Sequence, residues 1–491
     1  MASATGREDQ SDLGNTLMQR QTVHQFLTAQ TLSLFGPGSD SGAPDQPGCP
    51  LPHGELRQTL FERIERQYGI CLADAVGDRD LSLGELNGLV ISEIKRRSRL
   101  TVDSKTVFEN FIFAGRCRKL SSPYEINLDL TFRCNYRCVF CYASAVDSDD
   151  QHKELSTDEV FDILDSFASM NGAFVLFGGG EPFLRDDFLE ILRYTKSKGL
   201  WTYIITNGSL ITAQVAEQYA RLTDSRHDKI QVSLDGSCAA IHDKQRGVKG
   251  AFDMTLKGIR NLTGNGIRPL INTVATQLNF SDIPEILDLA ARENALTYRC
   301  LMLHKIGRGA KDKLYARLEL NQEQNDWLYG FLDAKRDELM GLIGIASDNA
   351  CVFPMSTAAI RVQIPPMPGA VPSSYSCAAG TTKLAISPEG GVVPCSYFYD
   401  FPGFYLASLR ERSLKEIWED DTLWRDFREP LEPEGKCRDC DYLYTCKTGC
   451  RIMSYVGCGS FGGPDIGCTY DPRETISVGD PSTGGPDREH V

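Results

Sequence analysis

The sequence of 491 residues lacks three features that would place it in common protein classes. No apolar run is long enough to cross a bilayer, and residues 1–20 are too polar for a signal peptide. Basic residues are not in excess: the formal net charge is -14, whereas binding to nucleic-acid phosphates requires a basic surface. We therefore expect a cytoplasmic protein with no membrane or nucleic-acid partner.

Cysteine, in contrast, is plentiful. The chain contains 17 cysteines, and because disulfides are improbable in the reducing cytoplasm, metal binding is the expected use of those that cluster. Cys134, Cys138 and Cys141 form a CxxxCxxC pattern within LDLTFRCNYRCVFCYASA at 128–145. Zinc sites and complete iron–sulfur clusters normally have four protein ligands. Three close thiols therefore indicate either a distant fourth ligand or a coordination position left open.

Apolar periodicity predicts an α/β protein built around a partial (β/α)6 TIM-like barrel. In the central part of the chain, six short apolar runs alternate with helical stretches, which favours a parallel sheet. A small all-helical domain precedes the barrel, and an irregular region rich in Pro, Gly and Cys follows it. The predicted boundaries are 1–20 disordered, 21–100 helical domain, 101–123 linker, 124–345 barrel, 346–472 cysteine-rich domain and 473–491 disordered tail.

Glycine and polar residues follow the next predicted strands. GGGEP at 178–182, TNG at 206–208 and SLD at 233–235 end the second, third and fourth strands, and the cysteine triplet follows the first. Ligands bind at the carboxyl ends of the strands in such barrels. These groups are therefore expected to converge on one pocket.

Together with RGVKGAFD at 246–253, these motifs resemble the radical S-adenosylmethionine (SAM) superfamily. CxxxCxxC alone is a weak signal, since a zinc knuckle has similar spacing, but the ordered series is specific. In that family the three cysteines hold a four-iron four-sulfur (4Fe-4S) cluster whose fourth iron binds the amino and carboxylate groups of SAM. The resemblance thus implies reductive cleavage of SAM to methionine and a 5′-deoxyadenosyl radical that abstracts hydrogen from the substrate.

The resemblance also implies SAM contacts, residue by residue. An N-cap carboxylate is the alternative role for Glu181, and an ordinary strand-closing turn is the alternative for Ser233 and Asp235. The implied contacts are Gly179, Gly180 and Glu181 for the amino group, Ser233, Asp235 and Arg246 for the carboxylate and ribose, Phe140, Ile306 and Gly307 for the adenine, and Asn207 with no assigned atom.

A second cysteine series resembles the SPASM extension, which holds two auxiliary 4Fe-4S clusters. We expect Cys351 to be the upstream ligand of the first cluster, with Cys458 as its rival; a buried structural thiol is the alternative for both. Zinc is the alternative for the whole series. By this resemblance, Cys437, Cys440, Cys446 and Cys468 hold one cluster, and Cys377, Cys395 and Cys450 hold the other with the upstream cysteine.

The two resemblances cover roughly residues 124–470 and imply three 4Fe-4S clusters, SAM and an external electron donor such as flavodoxin or ferredoxin. The expected function is modification of a peptide or protein substrate by crosslinking, thioether formation, oxidation or epimerisation. The alternative is a radical SAM dehydrogenase of a small-molecule or carrier-tethered natural-product intermediate. A pure electron-transfer protein is disfavoured by the intact SAM motif.

Two departures limit what the resemblances imply. The N-terminal domain loosely resembles a carrier-protein domain, but Gly54 stands near the position of the serine that would bear the prosthetic arm, so a helical packing module is the alternative.

Ser396 follows Cys395, where the sulfatase-maturing branch has a catalytic aspartate. Formylglycine formation is therefore disfavoured, and the catalytic residues are unknown. For the nearby Tyr397 and Tyr399 we expect packing or hydrogen bonding.

Overall fold

The computed structural model describes the central and C-terminal parts of the chain. Cys351, the tail and almost all of the predicted N-terminal domain lie outside the described residues. Within the described ranges, no helix is long and apolar enough to cross a bilayer. These ranges are 60–61, 86, 120, 122–145, 154–339, 342–347, 377–429, 431–440, 443–446 and 448–468.

One sheet of ten strands organises this part of the chain. Its strands are β1 Glu125–Thr131, β2 Phe174–Gly179, β3 Trp201–Thr206, β4 Lys229–Ser233, β5 Leu270–Ala275, β6 Thr297–Met302, β7 Gly344–Ser347, β8 Lys383–Ile386, β9 Gly391–Val393 and β10 Ala407–Ser408. Their order is β10-β9-β8-β1-β2-β3-β4-β5-β6-β7. The pairs from β8 through β1 to β7 are parallel, and β9 pairs antiparallel with β8 and β10.

The prediction of an α/β partial barrel is confirmed, and β1 to β6 coincide with the six predicted strands. The sheet extends further than expected, because β7 adds to one edge and β8 to β10 add to the other. These four strands have two to four residues each, too few to show a period in the sequence.

Helices cover one face of the sheet. Helix α1 illustrates how they form: Ser156 Oγ accepts a hydrogen bond from Glu159 N, and Glu159 Oε2 accepts one from Ser156 N. The helices are α1 Thr157–Ser169, α2 Phe188–Ser197, α3 Ala213–Leu222, α4 Ala239–Arg246, α5 Ala251–Gly264, α6 Ile283–Arg292, α7 Asp312–Leu318, α8 Gln322–Glu338, α9 Leu414–Glu419, α10 Arg425–Arg428, α11 Leu443–Cys446 and α12 Arg451–Cys458.

Strand alternation gives the sheet two different faces. On β1, Ile126, Leu128 and Leu130 belong to the apolar core formed with the helices. Asn127 and Asp129 therefore face the opposite side, which we call the inner face. The inner side chains of β3 and β6 are partly exposed, whereas the outer ones are buried. The inner face is thus partly exposed to solvent at β3 and β6.

The cysteine-rich segment is attached to the barrel through β1. Strand β8 pairs with β1 in register from Glu125 opposite Lys383 to Leu128 opposite Ile386. Beside this pair, the fully buried Trp418 donates a hydrogen bond from Nε1 to Leu120 O at 3.0 Å. These contacts fix the segment that follows Cys377 against the edge of the barrel.

Trp418 tests how much this attachment contributes to stability. Trp418→Ala is expected to lower the free energy of unfolding by about 3–5 kcal/mol, because it removes a buried indole and leaves a cavity. Trp327→Ala is the matched control, since Trp327 is 45% exposed and should cost no more than about 1.5 kcal/mol. Urea unfolding followed by circular dichroism measures both. Equal losses would contradict the attachment role.

Candidate cofactor site

The loop that carries the three thiols leaves the end of β1 and is closely packed. Cys134 and Cys138 are buried, and Cys141 is partly buried. Tyr136, 1% exposed, donates from its hydroxyl to Ala251 O at 3.1 Å at the start of α5. This hydrogen bond therefore fixes the thiol loop to the start of helix α5.

Three later segments of the chain hold the backbone of this loop. Each follows a different part of the barrel: the end of β2, the end of α4 and the region after β6. The hydrogen bonds are Glu181 N to Arg133 O at 2.8 Å, Arg137 N to Arg246 O at 2.9 Å and Arg308 N to Cys141 O at 2.9 Å.

Glycine stands at each of these contacts because a side chain would not fit. A Cβ atom would lie 2.0 Å from the nearest loop carbonyl oxygen at Gly180, 2.4 Å at Gly247 and 2.1 Å at Gly307. Gly247 and Gly307 also have positive φ values of 68° and 55°. The thiol loop is thus clamped by backbone, at distances that only glycine permits.

Glu181 is fully buried between the ends of β2 and β3. Its Oε1 accepts from Thr206 Oγ1 at 2.8 Å and its Oε2 accepts from Asn207 N at 2.7 Å. Oε1 also lies 3.3 Å from Phe183 N, in a short 3-10 helix whose N-cap residue is Glu181. This is the contact that the N-cap alternative requires. Burial raises the pKa of Glu181 to about 7, although the Asn207 N–H lowers it.

Arg246 joins a second carboxylate to the thiol loop. Its Nη2 lies 2.5 Å from Asp235 Oδ2, and its Nη1 donates to Cys138 Sγ at 3.4 Å. Its guanidinium also lies 5.4 Å from the centre of the Phe140 ring. Asp235 Oδ1 also accepts a hydrogen bond from Val274 N on β5 at 2.8 Å. Such a bond is what the alternative role of Asp235, in a turn that closes a strand, would show. One cation therefore sits beside a predicted cluster ligand.

The remaining predicted SAM contacts border the same loop. Asn207 Nδ2 donates to Asn135 Oδ1 at 2.8 Å and lies 4.0 Å from Cys134 Sγ. Ile306 is buried immediately before Gly307. At Gly179 (φ 97°), a Cβ atom would lie 2.5 Å from Thr131 O.

Ser233, at the end of β4, is half-buried and pairs in register with Asn272. Ser233 therefore lies on the inner face. Its pairing partner in the sheet is Asn272 on β5, which is not a residue of the thiol loop.

The donor set fits an iron–sulfur cluster better than a single ion. Burial and, to a smaller extent, the Glu181 carboxylate raise the pKa of Cys134 to about 12, so a bound metal is needed to stabilise the thiolate. Among the described residues, no three His, Cys, Asp or Glu side chains converge on one metal ion. In a 4Fe-4S cluster each thiolate binds a different iron, so convergence on one point is not required.

The structure also brings the second cysteine series together in two groups. In the first, burial and, to a smaller extent, the nearby thiols of Cys468, Cys437 and Cys440 raise the pKa of Cys446 to about 12. In the second, Cys377, Cys395 and Cys450 share one apolar cluster. The assignment of these thiols to two clusters stays a prediction. Cys351 lies outside the described residues and stays a prediction.

Cys458, the rival to Cys351, lies at the end of α12. Its side chain is exposed, and its Sγ lies 3.0 Å from Ser454 O. The exposed side chain does not agree with the buried structural thiol expected as the alternative for this residue.

Sequence reasoning missed Arg308. Its Nε donates to Cys138 O at 3.0 Å and its Nη1 donates to Ala145 O at 2.6 Å, so that one side chain spans the thiol loop. The signal was available, because Arg308 directly follows Gly307 in HKIGRGA. In this segment the resemblance implies contacts only for Ile306 and Gly307.

An open parallel barrel with three thiols after its first strand, joined to a second group of clustered cysteines, defines a radical SAM enzyme with an iron–sulfur extension. Residues 128–290 match the profile of the Radical SAM superfamily. Residues 377–441 match that of an iron–sulfur cluster-binding domain, SPASM. The chain belongs to the radical SAM superfamily.

Curated relatives match most of their own length. Mycofactocin maturase MftC of Mycolicibacterium smegmatis is 33% identical over 352 residues, 72% of this chain and 84% of that protein. AdoMet-dependent heme synthase of Methanosarcina barkeri is 30% identical over 352 residues, 72% of this chain and 98% of that protein. The radical SAM and SPASM regions are therefore shared with enzymes of two different activities.

Solved structures share the fold. Streptococcus suis SuiB bound to its precursor peptide SuiA aligns with a TM-score of 0.59 at 18% identity, over 85% of this chain and 90% of that chain. anSMEcpe with bound AdoMet aligns with a TM-score of 0.52 at 15% identity, over 68% of this chain and 90% of that chain. The enzyme uses SAM and a 4Fe-4S cluster, and its SPASM domain carries auxiliary iron–sulfur clusters.

Iron content tests the assignment of the first three cysteines. The reconstituted chain should contain about twelve irons, and replacing Cys134, Cys138 and Cys141 together by alanine should lower this to about eight and abolish 5′-deoxyadenosine formation. The exposed Cys238 and Cys458 serve as controls, and their alanine variants should keep all the iron. Unchanged iron and SAM cleavage in the triple variant would refute the assignment.

A second prediction separates the two roles of Glu181. Glu181→Ala should weaken SAM binding about 10- to 150-fold, the equivalent of a charge-assisted hydrogen bond, while iron content is unchanged. Thr206→Val is the matched control, because it removes one bond to the carboxylate and leaves the charge. Calorimetric titration with SAM measures both. If Glu181→Ala only lowers the melting temperature and binds SAM normally, the residue is a cap and not a ligand.

Proposed function

We propose that this chain is a maturase that modifies a peptide or protein substrate by hydrogen abstraction, with crosslinking, thioether formation, oxidation or epimerisation as the outcome. When bound, SAM and its cluster supply the 5′-deoxyadenosyl radical that abstracts the hydrogen. The relative MftC is named a maturase. The fold is also that of SuiB, which has been solved with a precursor peptide.

The observation that carries this proposal is a set of buried acceptors on the inner face. Asn127 Oδ1 and Asn272 Oδ1 are buried and accept no hydrogen bond from any described residue. An unpaired buried acceptor costs free energy, so a substrate that donates hydrogen bonds gains affinity by binding there. A peptide backbone has an N–H donor at every residue except proline. The inner face therefore suits a peptide.

The small-molecule alternative is favoured by the relatives named heme synthases. A tetrapyrrole with carboxylate side chains presents acceptors and needs cations to pair with. On the inner face, Lys383 lies 3.9 Å from Glu125 Oε1, and Arg299 has a partner within the chain. These cations are already engaged, and for this reason we place the alternative second.

Within this proposal the thiol loop holds the SAM-binding cluster, and the groups around it hold SAM. The Arg246 guanidinium beside Cys138 provides positive charge for a carboxylate of SAM, and Glu181 accepts from its amino group. Cys351 closes the first auxiliary cluster, which then serves electron transfer. An external donor such as flavodoxin or ferredoxin supplies the reducing electron.

Aromatic residues from the two cysteine groups pack together beside the thiol loop. The rings of Tyr142 and Tyr397 are 5.5 Å apart, and His304 lies 4.9 Å from Tyr397. Tyr142 directly follows Cys141, and Tyr397 is two residues beyond Cys395. Tyr397 has the packing role expected for it.

Co-expression with a candidate peptide tests the function. The peptide encoded by a short reading frame beside the gene should emerge with a changed mass, lower by two hydrogens for a crosslink or oxidation. Epimerisation leaves the mass unchanged in water, but adds deuterium in deuterated solvent. Mass spectrometry of the purified peptide measures either outcome.

The triple variant of Cys134, Cys138 and Cys141 is the control and should leave the peptide unmodified. An unmodified peptide with the loaded wild-type enzyme, together with conversion of a small molecule or a carrier-bound intermediate, would contradict the proposal and favour the alternative.

A further inference from the structure

Asp129 is a buried carboxylate that none of the roles above uses. It lies on β1, five residues before Cys134, and it faces inward because Leu128 and Leu130 pack among the helices. Its register partner on β2 is Gly178. A Cβ atom at Gly178 would lie 2.8 Å from Asp129 Oδ1, so the glycine keeps the space beside the carboxylate clear.

Few groups are available to stabilise this charge. The titratable side chains that face it are Tyr142 from the thiol loop and Tyr399 and Tyr405 from the segment after Cys395. The Tyr399 hydroxyl stabilises the carboxylate, but it also lies 3.1 Å from Ile386 O. One hydroxyl proton can serve only one of these two acceptors.

The carboxylate is therefore costly to the folded protein. Asp129 is 0% exposed, and neither of its oxygens has a well-placed hydrogen-bond donor among the described residues. Burial raises its pKa to about 7. A buried acid without a cation or a full set of donors destabilises the fold, and such groups persist where function requires them.

We propose that Asp129 binds an N–H or ammonium donor of the peptide substrate and holds it on the inner face, between the thiol loop and the Cys395 loop. This inference rests on the proposed function, because it assumes a substrate with hydrogen-bond donors. Tyr142 and Tyr399 border the site from the two loops. Asn127, on the same face of the same strand, adds a second acceptor without a donor.

A stability measurement separates this role from a structural one. The folded pKa of about 7 lies above the ordinary value of 3.8, so the folded state keeps a proton that the unfolded state loses in this range. Wild-type stability should thus fall as the pH rises from 3.8 to about 7. Asp129→Asn should remove this loss and unfold at a higher urea concentration than the wild type above pH 7. A less stable variant would overturn the proposal.

Infrared difference spectra of the loaded enzyme with SAM test the binding. The wild type should show a protonated-carboxyl band, absent from Asp129→Asn, that titrates with a midpoint near 7. Glycinamide, which carries an ammonium group and amide N–H donors, should move this midpoint downward. Propionate, which carries acceptors only, should leave it in place. An unmoved midpoint with glycinamide, or an equal shift with propionate, would overturn the proposal.

Glu125→Gln is the matched control, because Glu125 lies on the same face at the other end of β1. This variant should keep both the band and the glycinamide shift. With the co-expressed peptide, Asp129→Asn should lower the modified fraction about tenfold or more, the loss expected for one charged hydrogen bond, whereas Glu125→Gln should not lower it. If the wild type modifies no peptide, the proposed function fails, and the glycinamide titration still decides the role of Asp129.

Discussion

Close contact between backbones determines where the three thiols lie. The thiol loop is held at Arg133, Arg137 and Cys141 by hydrogen bonds from strand-end and helix-end segments. Each of these contacts needs a glycine nearby, since a Cβ atom would come within 2.4 Å of a loop carbonyl oxygen. A cluster held by three side chains can bind SAM at its remaining iron only if the loop keeps its shape. Backbone contacts supply that rigidity at low entropic cost, because no long side chain has to be ordered.

The two faces of the sheet differ in what they contribute. The outer face stabilises the fold, and the inner face is where we propose that the substrate binds. The outer face is apolar and packs against helices, as in any α/β barrel. The inner face is partly exposed at β3 and β6, and it bears buried acceptors without a donor at Asn127 and Asn272 and a poorly satisfied carboxylate at Asp129. A protein selected for stability alone would pair or remove these groups, because each costs free energy when buried. Their presence on one face explains how a rigid barrel can receive a polar substrate.

Joining β8 to β1 places the auxiliary cysteines beside the same inner face. The Asn127 side chain donates from Nδ2 to Ser396 Oγ at 3.2 Å, next to Cys395. Tyr142 and Tyr397 pack together across the same gap. The space over this part of the inner face is therefore bounded by the barrel on one side and by the SPASM segment on the other.

The sequence by itself determined the six central strands, the helices between them, the thiol triplet and both cysteine series, because periodicity and spacing are local properties. It also indicated Glu181 and Asp235 through motifs at strand ends, and Arg246 through RGVKGAFD, which begins at the end of α4. Only the tertiary structure decided which of these groups meet. The contact between Arg246 and Cys138 spans 108 residues, and that between Asn127 and Ser396 spans 269. The shortage of hydrogen-bond donors around Asp129 could not be predicted from the sequence either, because the residues that surround a strand side chain come from distant parts of the chain. Such facts depend on how distant segments pack, and packing is decided by the whole chain at once.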